Sequence, residues 1–416
     1  MMKSPLLTLS LGWERAREIA QGYGREAGLV LSGRILQNIN GFLLSVLIVR
    51  RFGLAAAGTL AVATVATVII AIVGTFGLTY VFARSNAPIQ VKNGLGFVAA
   101  LAIVPFSLPF IIALGLIAGH SPEEAATITI LSLGGCFFAQ TNIANALQVL
   151  QGRARESIIP PAANLAGLLA AAAFGGSYPV FALILAAFRF AGTLGAFLWL
   201  ERARIELRVF WANVRVGAHF LTADILNLGS EQLTVLLASF LMSRTDLGVF
   251  GLCRQMLTVS DTPGWSQVQA KYPLIVSDPA QTVGELKRTM PRLGAICGAG
   301  VAVLTVPLGC FVYRSPQFMM LAPLLLASVP LRYLLTVYDV ALRAVGAIMA
   351  TNRVSLIRAA VALILIPGGA WLGGAAGAIL ATMAHTAISV WLTRRVNALI
   401  EQPAADGPVS SGSLVR

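Results

Sequence analysis

Arginines and carboxylates set inside long apolar stretches are the residues of this sequence with chemistry to offer. Near the start, Arg34, Asn38, Gly41 and Ser45 recur on one helical face, with Gln37 at its edge. Later stretches repeat the pattern with Asp224, Asn227, Glu231 and Thr234, then Arg254, Thr258, Asp261 and Trp265, then Arg332, Thr336, Asp339 and Arg343. Arg189 stands alone in a further stretch. Residues three and four apart share a helix face, and an ionisable group in hydrocarbon is costly enough to mark a functional position by default. Of the 30 basic residues only Lys3, Lys92, Lys271 and Lys287 are lysines. A guanidinium stays protonated when desolvated and presents a planar fork to phosphate oxygens. Arg34, Arg254, Arg332 and Arg189 are therefore candidates to hold a phosphate- or diphosphate-bearing anion. Gln37, Asn38, Asn227, Thr234, Thr258 and Thr336 would line the same space. Asp224, Glu231, Asp261 and Asp339 would form ion pairs that break when substrate or a proton arrives, or static pairs that never do. Asp339 and Arg343, four apart, could also neutralise each other.

The elements that must carry these residues are transmembrane helices. The chain has 416 residues, 57% hydrophobic and only 11% charged, where a water-soluble domain carries roughly a quarter charged residues. Spans of about 20 apolar residues are expected near 29–49, 57–80, 94–118, 126–149, 157–175, 179–200, 217–241, 247–270, 293–313, 317–343, 354–372 and 375–393. The eighth is the weakest, because Arg254, Gln255, Asp261, Gln267 and Gln269 interrupt it and need protein or water around them. About twelve spans leave no room for a sizeable soluble enzyme, so an enzymatic role is not expected.

Loop charge sets the orientation. One side would hold Lys3, Arg15, Arg17 and Arg25, then Arg84 and Lys92, Arg153 and Arg155, and Arg202, Arg204, Arg208 and Arg215. The same side takes Lys271, Lys287, Arg288 and Arg292, then Arg353, Arg394 and Arg395. The other holds Arg50, Arg51, Arg244 and Arg314 with Glu123 and Glu124. The positive-inside rule then puts both termini in the cytoplasm. The net charge of +13 is explained by orientation and by contact with anionic lipid, not by nucleic acid. Cys136, Cys253, Cys297 and Cys310 lack CxxC or Cys/His spacing, so neither a disulfide framework, a metal site nor a cofactor is expected. Residues 1–28 read as an interfacial N-terminal segment and not a cleavable signal.

The longest basic loop lies mid-chain, which divides the protein into a six-helix bundle at 29–200, a linker at 201–216, a second bundle at 217–395 and a disordered tail at 396–416. At an offset of 193 residues Leu43, Leu44, Arg51, Leu54 and Gly58 match Leu236, Leu237, Arg244, Leu247 and Gly251. Six intervening spans restore orientation, so the halves would be parallel repeats around a central cavity, as transporter folds have.

The stretch VLIVRRFGLAAAGTLAVATVATVIIAIVGTFGLTYVFARS resembles the opening of bacterial O-antigen and exopolysaccharide flippases, members of the multidrug/oligosaccharidyl-lipid/polysaccharide exporter superfamily. SEQLTVLLASFLMSRTDLGVFGLCRQMLTV, NALQVLQGRARES and GGAAGAILATMAHT are similar to later parts of that family. Glu231–Gln232 stand where it usually has an aspartate, and Phe250 where it usually has a tyrosine. The resemblance implies an all-α membrane protein of two six-helix bundles and alternating access for an undecaprenyl-diphosphate-linked oligosaccharide. It makes Arg34 and Arg254 diphosphate contacts and Glu231 a coupling or sugar contact. A polysaccharide polymerase and a chain-length regulator would be partners. The alternatives are an ion-coupled drug exporter of the same superfamily and a non-transporting component of a polysaccharide-synthesis complex.

Overall fold

In a computed structural model, the protein is helical through most of its described residues: 25–78, 82, 87–151, 153–206, 230–277, 279–344, 348–401, and isolated positions between 208 and 226. They fall into two compact units, 1–248 and 249–416.

The first unit holds α1 (Arg25–Phe52), α2 (Leu54–Gly74), α3 (Ile89–Ala118), α4 (Pro122–Leu150), α5 (Ile159–Phe174), α6 (Tyr178–Leu198) and α7 (Ser230–Ser239). It also takes the first turn of α8 (Arg244–Ser277). Gly53, at a φ of 86°, permits the sharp break between α1 and α2 that a side chain would resist. α4 packs against α2, α3 and α6, and α5 pairs with α6 and α1. Its core is apolar: Leu44, Ile48, Leu131, Leu168, Phe181 and Leu185 are buried together. Amide side chains fasten neighbouring helices, as polar groups do where lipid offers them no water. Asn40 donates to the Pro161 carbonyl at 2.7 Å, Gln140 to Ala100 at 2.7 Å and Gln148 to Ala196 at 2.9 Å.

The second unit holds the rest of α8, α9 (Pro279–Pro307), α10 (Pro316–Leu326), α11 (Val329–Ala344) and α12 (Ile348–Glu401). α9 runs into a π-helical segment, Leu308–Tyr313. Ser315 caps α10 by accepting from the Phe318 N–H, with Pro316 in the first turn, where its missing N–H costs nothing. α10 and α11 meet at 41°, and together they are long and apolar enough for one bent crossing. α12 breaks at Gly373 and Gly374, whose dihedrals leave the helical region, and its arms touch closely where Gly369 and Gly377 meet. That break falls between the expected spans 354–372 and 375–393.

The outer surface is apolar, as an integral membrane protein requires. Phe106, Phe174, Ile364 and Leu372 are each more than three-quarters exposed, far beyond what a water-facing surface would carry as a continuous belt. Among the described residues eight helical segments are long and apolar enough to cross a membrane, nine with the bent α10–α11 pair. α8 forms over the expected eighth span but is not apolar enough to be among them. The seventh expected span, 217–241, lies mostly outside the described residues apart from α7.

Candidate functional site

In the first unit, Arg189 sits two turns from the end of α6, and its Nε donates to Asn164 Oδ1 on α5 at 2.9 Å. Its Nη1 lies over Gly134 on α4, where a β-carbon would make the guanidinium shift. One turn along, the Thr193 and Thr141 hydroxyls meet at 3.0 Å, and Thr193 also donates to the Arg189 carbonyl at 2.9 Å. No ion pair to a described carboxylate accompanies Arg189. A cation held by a neutral amide inside an apolar bundle keeps its charge available to an anion.

Arg34 lies on α1, but its side chain is outside the described residues, as are Asp224 and Asn227. Gln37 and Asn38 are half-buried on α1. Glu231 opens α7 and is partly buried; its carbonyl accepts from the Thr234 hydroxyl at 2.8 Å, and Thr234 itself is buried.

In the second unit the expected polar face of α11 is present, and it faces two ways. Arg332 reaches back to α8, where its Nε lies 2.7 Å from Asp261 Oδ2. Asp339, two turns on, takes both oxygens to Arg358 Nη1 on α12 at 2.8 and 2.9 Å. Thr336 lies between them and donates to the Arg332 carbonyl at 3.0 Å. Asp339 thus pairs across helices and not only along its own; the Arg343 side chain is outside the described residues. Arg254 is partly buried on α8, and the exposed Thr258 donates to its carbonyl at 3.1 Å. Tyr333, fully buried, donates to the Ser260 carbonyl at 2.6 Å and accepts from the Gly264 N–H at 3.1 Å. It locks α8 against α11 beside the Asp261–Arg332 pair.

Sequence reasoning missed Arg358, the partner of Asp339. It lies in the first turns of its expected span, close to Asn352 and Arg353, and so resembles a helix end. His385 has Nε2 3.1 Å from the Arg358 carbonyl and 3.3 Å from the Ser389 hydroxyl. Also missed was Glu124 on α4, expected in a loop. Its Oε1 lies 2.7 Å from Arg244 Nε and accepts from the Thr59 hydroxyl at 3.0 Å.

No family model and no curated relative matches the sequence. Solved structures do match in fold. Lipid II flippase MurJ in an inward closed conformation aligns at a TM-score of 0.68 with 13% identity, over 90% of this chain and 87% of that one. A mutant of the Vibrio cholerae MATE transporter VcmN aligns at 0.64 with 12% identity, over 92% and 97%. An inward-facing multidrug resistance MATE family transporter of the MOP superfamily aligns at 0.62 with 14% identity, over 88% and 96%. The chain therefore has the fold of transporters of the multidrug/oligosaccharidyl-lipid/polysaccharide exporter superfamily.

Proposed function

We propose that the protein is a bacterial inner-membrane flippase that moves an undecaprenyl-diphosphate-linked oligosaccharide across the bilayer by alternating access, for surface polysaccharide such as O-antigen or exopolysaccharide. The observation that carries this reading is Arg189, a guanidinium in the bundle interior that meets a neutral amide, with its Nη1 over Gly134. A diphosphate supplies the charge it lacks. The half-buried Gln37 and Asn38 on α1 suit sugar hydroxyls, and a fold shared with a lipid II flippase suits a polyprenyl cargo. Arg254 and Arg34 are the further diphosphate contacts in this scheme, with Asp224, Asn227, Glu231, Thr234 and Thr258 lining the path. Asp261–Arg332 and Asp339–Arg358 are the pairs that exchange partners during coupling. A polymerase and a chain-length regulator are the expected partners.

One observation favours an ion-coupled exporter of organic cations instead: two arginines of the second unit, Arg332 and Arg358, already have carboxylate partners. The two readings separate in proteoliposomes containing the purified full chain. The flippase reading expects a fluorescent polyprenyl-diphosphate oligosaccharide to become accessible to an external quencher. Arg189→Gln should slow that exchange about tenfold or more, the value of a lost charge-assisted hydrogen bond. Transport of rhodamine 6G with no movement of the diphosphate lipid would overturn it.

A further inference from the structure

The boundary between the compact units falls at Gly248 and not in the mid-chain linker, so the first turn of α8 is packed into the first unit. Two capping motifs place the charges that hold it there. Ser121 accepts from the Glu124 N–H at 3.2 Å at the start of α4, which fixes Glu124 in the first turn. Ser243 accepts from the Asp246 N–H at 3.1 Å and donates to Asp246 Oδ2 at 2.8 Å, which fixes Arg244 at the start of α8. A serine at the cap that accepts from the N–H three residues on is a common helix start.

Between these two helix starts Arg244 Nε lies 2.7 Å from Glu124 Oε1, with side chains only 14% and 16% exposed. The same carboxylate accepts from the Thr59 hydroxyl of α2 at 3.0 Å and from the His120 N–H at 2.9 Å. Arg244 also donates to the Ala118 carbonyl at the end of α3. Beneath the pair the backbones touch. A β-carbon at Gly58 would overlap the Arg244 carbonyl, and one at Gly248 would overlap that of Leu54. Glycine at both positions is what allows α2 and α8 to approach this closely. One arginine thus ties α8 to the ends of two helices and, through the shared carboxylate, to a third.

We infer that Glu124–Arg244 is a releasable latch, which holds the first turn of α8 against α2, α3 and α4 and whose release opens this end of the path. The inference rests on the transport reading for its purpose, though not for its test. Its energetics suit a contact that is made and broken. Arg244 Nη1 is buried without a hydrogen-bond partner among the described residues, and an incompletely bonded buried pair returns little more than its desolvation costs. Removing one partner leaves the other charge buried alone, which favours the state in which it is hydrated.

The test uses the full chain in nanodiscs, with the native cysteines replaced by alanine and spin labels at Ala55→Cys and Thr245→Cys. Both positions are exposed, on either side of the glycine contact. Pulsed EPR on the parent should show one short distance. E124Q and R244Q should each add a longer one, with the open-to-closed ratio rising about tenfold or more. The reversed pair, Glu124→Arg with Arg244→Glu, should bring the short distance back. Gly58→Ala should lengthen the distance with the ion pair intact, by wedging the backbones apart. The same short distance in E124Q, R244Q and Gly58→Ala would overturn the latch. Distances are read without any substrate, so failure of the flippase reading would leave this result standing.

Discussion

At the scale of single residues, the carboxylates show how far spacing can be trusted. The face Arg332, Thr336, Asp339 was readable because four- and three-residue steps stack on a helix, and the structure keeps it. The partners were not readable, because Asp261 and Arg358 come from other helices and nothing local announces a contact across a bundle. The pairing makes a stability prediction. Arg358→Gln strands Asp339, a quarter exposed, against a largely buried helix face, and should lower stability by about 3 kcal/mol. Asp339→Asn alone should cost a similar amount. The double substitution should recover most of it, because no unpaired charge then remains. Thermal unfolding in detergent, read as a double-mutant cycle, measures the coupling; strictly additive losses would mean that the pair contributes nothing jointly. Arg189 is the opposite case. Its depth in an apolar stretch was visible in the sequence, yet Asn164 and Gly134, which lie against it, were not singled out by any periodicity.

At the scale of elements, hydropathy located helices well where the membrane alone dictates them, and poorly where protein neighbours do. α3, α4 and α6 follow the apolar windows because lipid-facing surface leaves no other composition open. α8 departs from them: Asp261 and Tyr333 fasten it to α11, so its polar residues are met by protein. The break between the last two expected spans falls on two glycines. Gly374 has a φ of 57° and Gly373 one of −145° with open space where a β-carbon would go. Gly374→Ala should therefore destabilise the α12 hairpin by about 1–2 kcal/mol, the cost of a left-handed backbone with a side chain. Gly373→Ala should be nearly neutral. Limited proteolysis at the hairpin, compared between the two variants, reads the difference; equal protection would show that the turn is not strained by a side chain.

At the scale of the whole molecule, the sequence divides in one place and the packing in another. The 193-residue offset and the basic loop put the boundary between halves at 201–216, whereas the compact units part at Gly248. The difference is carried by α7, which packs on α2, and by the first turn of α8, drawn onto α2 by the Glu124 pair and two glycines. Arg51 and Arg244, which the offset superposes, do similar work. Each donates to a backbone carbonyl in the last turn of a helix, Ala172 on α5 and Ala118 on α3, where a cation is favoured by the helix dipole. Charged residues of the first unit gather at its two ends. At one end Arg153 donates to the Trp199 carbonyl, Asn93 to Glu201 at 3.1 Å and the Arg204 N–H to Gln90 at 2.8 Å, which gathers the basic linker beside the start of α3 and the end of α4. Glu123 and Glu124 lie at the start of α4, the other end of the same helices. The positive-inside rule expects the end that holds Glu123 and Glu124 on the periplasmic side. In cells, Glu123→Cys, which is exposed, should react with a membrane-impermeant maleimide added outside, and Arg202→Cys should react only after the membrane is opened. Labelling of both positions from outside would break the alternation of spans between residues 118 and 202. Labelling of Arg202→Cys alone would invert the molecule and place the Glu124–Arg244 latch at the cytoplasmic end, where it would control entry of cargo instead of its exit.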